Sequence, residues 1–311
     1  MGVQSDEGLS KAYKLLEEGK PSQARQILAE TLQFDLDNAE IKFAIWCCNF
    51  WSDFIRQLPS LDVYERGEGL FSQWKSFREE KQRYKVSFDN VVYAMEKGIF
   101  TLALQSYEPL RNDSDPVQKA EALRKIGFCC KKLGKYDEAL LYLTEANQNA
   151  PSSAPILAEM ADCYALCGEE KNAKVLFREA FFINAQEIDL AFLDSELICF
   201  LIREVRKQGY EGVALQEWIP VYGVLYGVFN IKRKLRSHEV GRLKQDIYAK
   251  ENELRNPSSN LKTLTPRLIN MYFWLIDHYV RTEDGREKTN EVLLKIKMLD
   301  RNIYGLYHAA K

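Results

Sequence analysis

The sequence predicts an all-α protein: an α-solenoid of helix–turn–helix repeats with an atypical helical C-terminal third. Three observations lead there. Short blocks of small and apolar residues recur at a step of 34 residues. Elsewhere apolar positions fall at helical spacings, and no convincing run of strands emerges. The composition, 46% hydrophobic and 28% charged over 311 residues, is globular, which excludes wholesale disorder, collagen and low-complexity fibre.

The clearest repeat is the block Gly134 to Ala139, which returns 34 residues later as Gly168 to Ala173. The same offset relates Leu123 to Leu157, Ile126 to Met160, Leu143 to Phe177 and Ala146 to Ala180. Going backward, Gly98 to Ala103 has the same shape, followed by Tyr107 and Leu110, after a step of 36 with its extra residues near Asp115 and Pro116. Gly19 to Ala24, with Leu28, Thr31 and Leu32 after it, repeats the pattern once more. Small Gly127 and Ala139 let paired helices approach closely, and Leu123, Ile126 and Leu143 fill the space between them. Each pair leaves an apolar face open, so neighbouring pairs are expected to stack.

On these residues the chain resembles the tetratricopeptide repeat family, whose unit is a helix–turn–helix of about 34 residues. The best repeat, Ala120 to Ser153, has Leu123, Ile126, Gly127, Cys130, Gly134, Tyr136, Ala139, Leu143, Ala146 and Pro151 at consensus positions. The next, Ala154 to Glu187, ends on Ala185 in place of the closing proline. A weaker repeat covers Tyr84 to Val117, and the weakest Ser5 to Asn38. The resemblance implies a right-handed solenoid whose concave face binds a protein segment, with core positions at Leu123, Ile126, Cys130, Ala139, Leu143, Leu157, Met160, Tyr164, Ala173 and Phe177.

The chain therefore divides into N-terminal repeat-like helices over 5–51, a helical insertion over 52–83, three repeats over 84–187 and a helical region over 188–311. In the insertion, Pro59 and Ser60 read as a helix start, and Leu70, Trp74, Phe77, Tyr84 and Phe88 predict one long helix running into the next repeat. Beyond Glu187 the repeat fades. Lys232 to Arg255 is charged and helical in pattern, Asn256 to Asn260 is a loop, and Thr265 with Pro266 reads as a helix start.

Little points to catalysis. The three histidines are scattered, and no Walker-type loop, GxGxxG or HExxH is present. Seven cysteines, two pairs of them adjacent, do not resemble a secreted disulfide framework. Cys129, Cys130, Cys163 and Cys167 read as packing residues rather than as a zinc site, because structural zinc ligands cluster on turns. No metal, cofactor or small-molecule substrate is expected. The longest uncharged stretch, Trp218 to Ile231, is 14 residues long, short of the roughly 20 that span a bilayer. Met1 to Ser10 shows no secretory signal, and together with the cysteines this gives a cytoplasmic expectation.

The expected site is the concave stripe of each first helix, at repeat positions two, five, nine and twelve. The stripe runs through Glu40, Phe43, Cys47 and Phe50 of the Ala39 segment, Lys85, Phe88, Val92 and Met95 of the Tyr84 repeat, and Glu121, Arg124, Phe128 and Lys131 of the Ala120 repeat; the candidate contacts are Phe43, Phe88, Val92, Met95, Arg124, Phe128 and Lys131, with Lys132 at the rim. In the Ala154 repeat the same stripe is Pro155, Ala158, Asp162 and Ala165. Apolar anchors with cations beside them predict a partner peptide or helix that carries apolar residues flanked by Asp or Glu. The competing reading is that the 52–83 insertion folds back and fills this groove with Trp74 and Phe77. A family branch that captures chaperone tails uses a Lys/Asn carboxylate clamp; Leu9 and Tyr13 stand here instead, which argues against that client.

Two further functional readings stay open. One is an enzyme or ligand carrier with its site in the C-terminal third, favoured if polar groups converge there in a pocket. The other is association with nucleic acid or an anionic surface through 232–255, where Lys232, Arg233, Lys234 and Arg236 cluster but Glu239, Asp246, Glu251 and Glu253 interleave. A net charge of −2 gives no general pull toward nucleic acid. Self-association is a further reading, with the acidic first repeat meeting that basic cluster between subunits.

Overall fold

The structure, a computed structural model, describes residues 3–84, 86–281 and 285–309. All regular structure among these residues is helical. The chain forms two compact units, Met1–Ala150 and Pro151–Lys311.

The first unit contains α1 (Val3–Glu17), α2 (Pro21–Leu32), α3 (Ala39–Gln57), α4 (Val63–Arg83), α5 (Asp89–Tyr107), α6 (Pro116–Lys132) and α7 (Tyr136–Asn149). Helices α1 and α2 form one tight antiparallel pair and α6 and α7 another, while α5 packs on α1, α4 and α6. The second unit contains α8 (Ala154–Leu166), α9 (Glu170–Asn184), α10 (Glu196–Lys207), α11 (Gly212–Leu225), α12 (Ser237–Glu253), α13 (Leu261–Tyr279), α14 (Gly285–Leu299) and α15 (Arg301–Ala309). Helices α8 and α9 pair, and α13 is the hub on which α11, α12 and α14 pack.

Three helix pairs share one turn. Gly19, Gly134 and Gly168 follow α1, α6 and α8 with φ of 69°, 74° and 81°, a left-handed conformation that glycine adopts without a Cβ penalty. The next residue then donates its N–H back across the turn: Lys20 to Leu15 O at 2.8 Å, Lys135 to Cys130 O at 2.9 Å, and Glu169 to Tyr164 O at 2.8 Å. That six-to-one bond is the Schellman closure, and it satisfies carbonyls the helix end would leave bare. Five residues after each glycine an alanine, Ala24, Ala139 or Ala173, is fully buried at the helix contact. The consensus core positions Leu123, Ile126, Cys130, Leu143, Leu157, Met160 and Phe177 are buried too, and Tyr164 is half-buried. Ala139→Leu is expected to overpack this contact and lower stability by about 1–3 kcal/mol in chemical denaturation.

The segment around Gly98 departs from the expected repeat. The chain does not turn there; α5 runs unbroken from Asp89 to Tyr107. Gly98 is needed for a different reason. A Cβ at this position would lie 1.9 Å from the Leu16 carbonyl oxygen and 3.0 Å from Gly19 N, so its absence lets α5 rest on the C-terminal end of α1.

Other boundaries shift for local reasons. Pro59 sits in a short 3-10 turn, Leu58–Ser60, and α4 starts later on a capping box in which Glu65 N donates to Asp62 Oδ1 and Asp62 N to Glu65 Oε2. Helix α4 ends at Arg83 rather than running into the next helix. Helix α13 starts at Leu261, where Asn260 Oδ1 accepts the Lys262 N–H, so Pro266 lies inside it and not at its first position. Lys232 to Arg236 is not helical; α12 begins only at Ser237.

Candidate functional site

In the first unit, α4 lies across the stripe expected to hold a partner. Its apolar face, Leu70, Phe71, Trp74 and Phe77, is buried. Phe71 packs 5.0 Å from Phe128 and Trp74 5.3 Å from Phe100, centroid to centroid. Phe77 meets Trp46 at 5.6 Å and Phe50 at 5.4 Å. The 52–83 insertion thus lays its apolar face against Phe128 of the expected stripe.

Each expected site residue has a place in that packing. Phe43, Met95 and Phe128 are buried. Phe88 and Val92 are half-buried, with Phe88 5.9 Å from Phe43. Arg124 donates through Nε to Glu121 Oε2 at 2.8 Å. Lys131 is 2% exposed, with Nζ 4.8 Å from the Phe128 ring centroid, and Lys132 Nζ lies 3.4 Å from Glu96 Oε1. The cations assigned to orient an acidic partner are therefore engaged internally. Lys85 lies outside the described residues. Of the two residues at the clamp positions, Leu9 is buried, and Tyr13 donates to Glu40 Oε1 at 2.6 Å; burial first, then that bond, pushes its phenol pKa up.

Beneath α4 a polar cluster locks the helix in place. Lys125 Nζ lies 2.7 Å from Glu68 Oε1 and 4.3 Å from the Phe71 ring centroid, and Tyr107 Oη donates to the same Glu68 oxygen at 2.5 Å. Burial works against the Glu68 carboxylate, but the bonds from Lys125 and Tyr107 outweigh it and hold its pKa below the usual range.

The matching stripe of α8, in the second unit, is also closed by the chain. Ala158 and Asp162 are buried, and the Asp162 carboxylate accepts Asp194 N at 3.0 Å and Ser195 N at 2.9 Å. It thereby caps the start of α10, where a negative charge suits the helix dipole.

The thiols of Cys47, Cys48, Cys129, Cys130 and Cys163 are buried, whereas Cys167, just past the end of α8, is exposed, which corrects its reading as a packing residue. Burial pushes Cys130 up to about 11 and Cys48 up to about 12, which disfavours the reactive thiolate. Among the described residues no group of three or more His, Cys, Asp or Glu is gathered as a metal site, and no helix is long and apolar enough to cross a membrane.

The basic cluster is partly neutralised. Arg178, 3% exposed, pairs with Asp277 and donates to Ile231 O at 3.2 Å. Lys232 Nζ reaches Asp277 Oδ1 at 2.6 Å, and Arg233 reaches Glu239 Oε1 at 2.8 Å and Glu179 Oε1 at 3.5 Å. These contacts pin the extended segment ahead of α12 and leave Lys234 and Arg236 as its exposed cations without an ion pair among the described residues.

The second unit has an open cleft where polar groups converge, the feature tied above to a site in the C-terminal third, built from residues that reading did not name. It measures about 830 Å³ and lies between the C-terminal end of α9, one long side of α12 and the first half of α13. Phe182, Ile183, Leu235, Leu243, Leu264 and Met271 give it apolar surface. Five carboxylates, Glu179, Glu217, Glu239, Asp246 and Glu253, and four strong cations, Arg233, Arg242, Lys250 and Arg267, line it with His238. Its most enclosed charge is Glu217 of α11, 1% exposed. Glu217 Oε1 accepts Arg267 Nη2 at 2.8 Å and Gln186 Nε2 at 2.9 Å. Arg267 Nη1 also donates to Phe182 O at 3.2 Å and Ile183 O at 3.4 Å, capping the end of α9. The available sequence signal was a charge set into an otherwise apolar helix: Glu217 directly precedes the uncharged Trp218 stretch, and Arg267 sits between Leu264 and Leu268.

No family model matches the chain, and no curated protein or solved structure matches it.

Proposed function

We propose that the chain is a tetratricopeptide-type repeat protein that works by binding a protein segment, without catalysis, and that the segment seats in the cleft along α12. The observation that carries the repeat assignment is the Schellman turn shared by Gly19, Gly134 and Gly168, with a buried alanine five residues on. The first-helix stripes are covered by α4 and by the segment entering α10, which moves the proposed contact to the cleft. From His238 to Glu253 its α12 wall runs for ~22 Å, the length of a four-turn helix. Mixed apolar and charged walls suit a helix laid in a groove. A small-ligand reading has volume enough, but exposed Arg242 and Asp246 leave the long side open to a chain.

A photo-crosslinking residue at Asp246, in the tagged protein expressed in its native cell, is expected to give a discrete heavier product. The same residue at Leu141, 72% exposed on α7, serves as the control away from the cleft. A product from Leu141 with none from Asp246 overturns the cleft as the contact.

A further inference from the structure

We infer that the cleft recognises a cationic side chain, Lys or Arg, carried on the apolar face of the docked segment, with Glu217 as its acceptor. This rests on the cleft being the docking site. Glu217 lines the cleft yet is almost wholly enclosed, and a carboxylate in that position is costly unless partnered. Gln186 and Arg267 both donate to Oε1. Oε2 receives no donor among the described residues, and it is not one of the polar atoms sealed off without a partner. It is therefore the oxygen the cleft reaches. A carboxylate takes about four hydrogen bonds, so capacity remains.

Arg267 cannot supply the missing bond by shifting, because its Nη1 is tied to the Phe182 and Ile183 carbonyls. It orients Glu217 while leaving one oxygen open. Phe182, Leu264 and Met271 line the same cleft and offer apolar surface on which the hydrocarbon stem of a Lys or Arg packs as its head reaches the carboxylate. Asp246, exposed and without an ion-pair partner among the described residues, adds a carboxylate at the mouth, with the exposed Arg242 one turn away on α12.

The test uses a helical peptide of about 18 residues, Leu and Ala on one face and Gln on the other, with one central Lys on the apolar face. A second peptide has norleucine in place of that Lys. Both are titrated calorimetrically into the full chain and into its Glu217→Gln variant. The Lys peptide is expected to bind about thirtyfold more tightly than the norleucine peptide, and the variant to lose that preference. Equal binding of the two peptides, binding of neither, or a Lys preference that survives in Glu217→Gln overturns the inference. Should the variant not fold, the two peptides on the unaltered chain still decide. The Asp246 cross-link judges the docking site separately: a cross-link with no Lys preference removes the cation and keeps the cleft.

Discussion

Phe77→Ala is expected to destabilise the first unit by about 3–5 kcal/mol. Phe77 is fully buried, and four other rings close on it: Trp46, Phe50, Trp51 and Trp74, with centroids 5.4–5.9 Å away. The magnitude also decides what α4 is. A helix packed across neighbouring helices invites the reading of a removable lid that an incoming partner displaces. Fully burying Leu70, Phe71, Trp74 and Phe77 is worth roughly 1.5–3 kcal/mol each, so lifting α4 forfeits about 6–12 kcal/mol. A whole domain is typically stable by about 5–15 kcal/mol. A competing peptide would have to replace nearly all of that, so α4 is core. Hydrogen exchange separates the two readings. If α4 is core, Phe77→Ala raises amide exchange in α3, α4 and α5 together. Faster exchange confined to α4 would identify a lid. Tyr93→Ala, at a position 63% exposed, should change stability by no more than about 0.5 kcal/mol.

How much was legible in advance depended on what each residue had to do. Gly134 and Gly168 were readable as turns because a left-handed residue and a buried alanine five positions later occur together, and both are physical requirements of that turn. Gly98 shows the same letters, Ala103 included, yet lies inside a helix. A glycine answers two different demands, a positive φ and a missing Cβ, and spacing alone does not say which. The groove-filling role of 52–83 was readable as an alternative because Trp74 and Phe77 share a helical face. The open-groove reading rests on a stripe that keeps its register through the interrupted repeat. Lys132 and Arg124 were read as free cations since Glu96 lies on another helix, and the pairing of Arg124 with Glu121 within α6 competes with any partner. The cleft was out of reach in another way. Its polar floor joins Gln186, Glu217 and Arg267, which no periodicity connects, and only the packing of α11 against α9 and α13 brings them together.

Substituting alanine for glycine should have opposite signs at two helical positions. At Gly241, in α12, a new Cβ has open space and no unusual φ, so Gly241→Ala should stabilise by about 0.5–1 kcal/mol through reduced freedom of the unfolded chain. At Gly98 the same methyl meets backbone, the Leu16 carbonyl at 1.9 Å and Gly19 N at 3.0 Å. No side chain can swing aside, so α5 must lift off α1. Ile99, Phe100 and Ala103 follow Gly98 in the helix and are fully buried, and a lift there loosens their contacts as well. Gly98→Ala is therefore expected to cost about 3 kcal/mol or more, in the range reserved for core disruption, and Gly98→Val to leave the first unit unfolded. The same comparison decides between the two roles Gly98 could have had. At a turn with positive φ, alanine would cost only about 1–2 kcal/mol and would leave the α1–α5 contact intact. Denaturant melts of Gly98→Ala and Gly241→Ala beside the unaltered chain give the answer: a small loss at Gly98 would mean that α5 does not rest on α1.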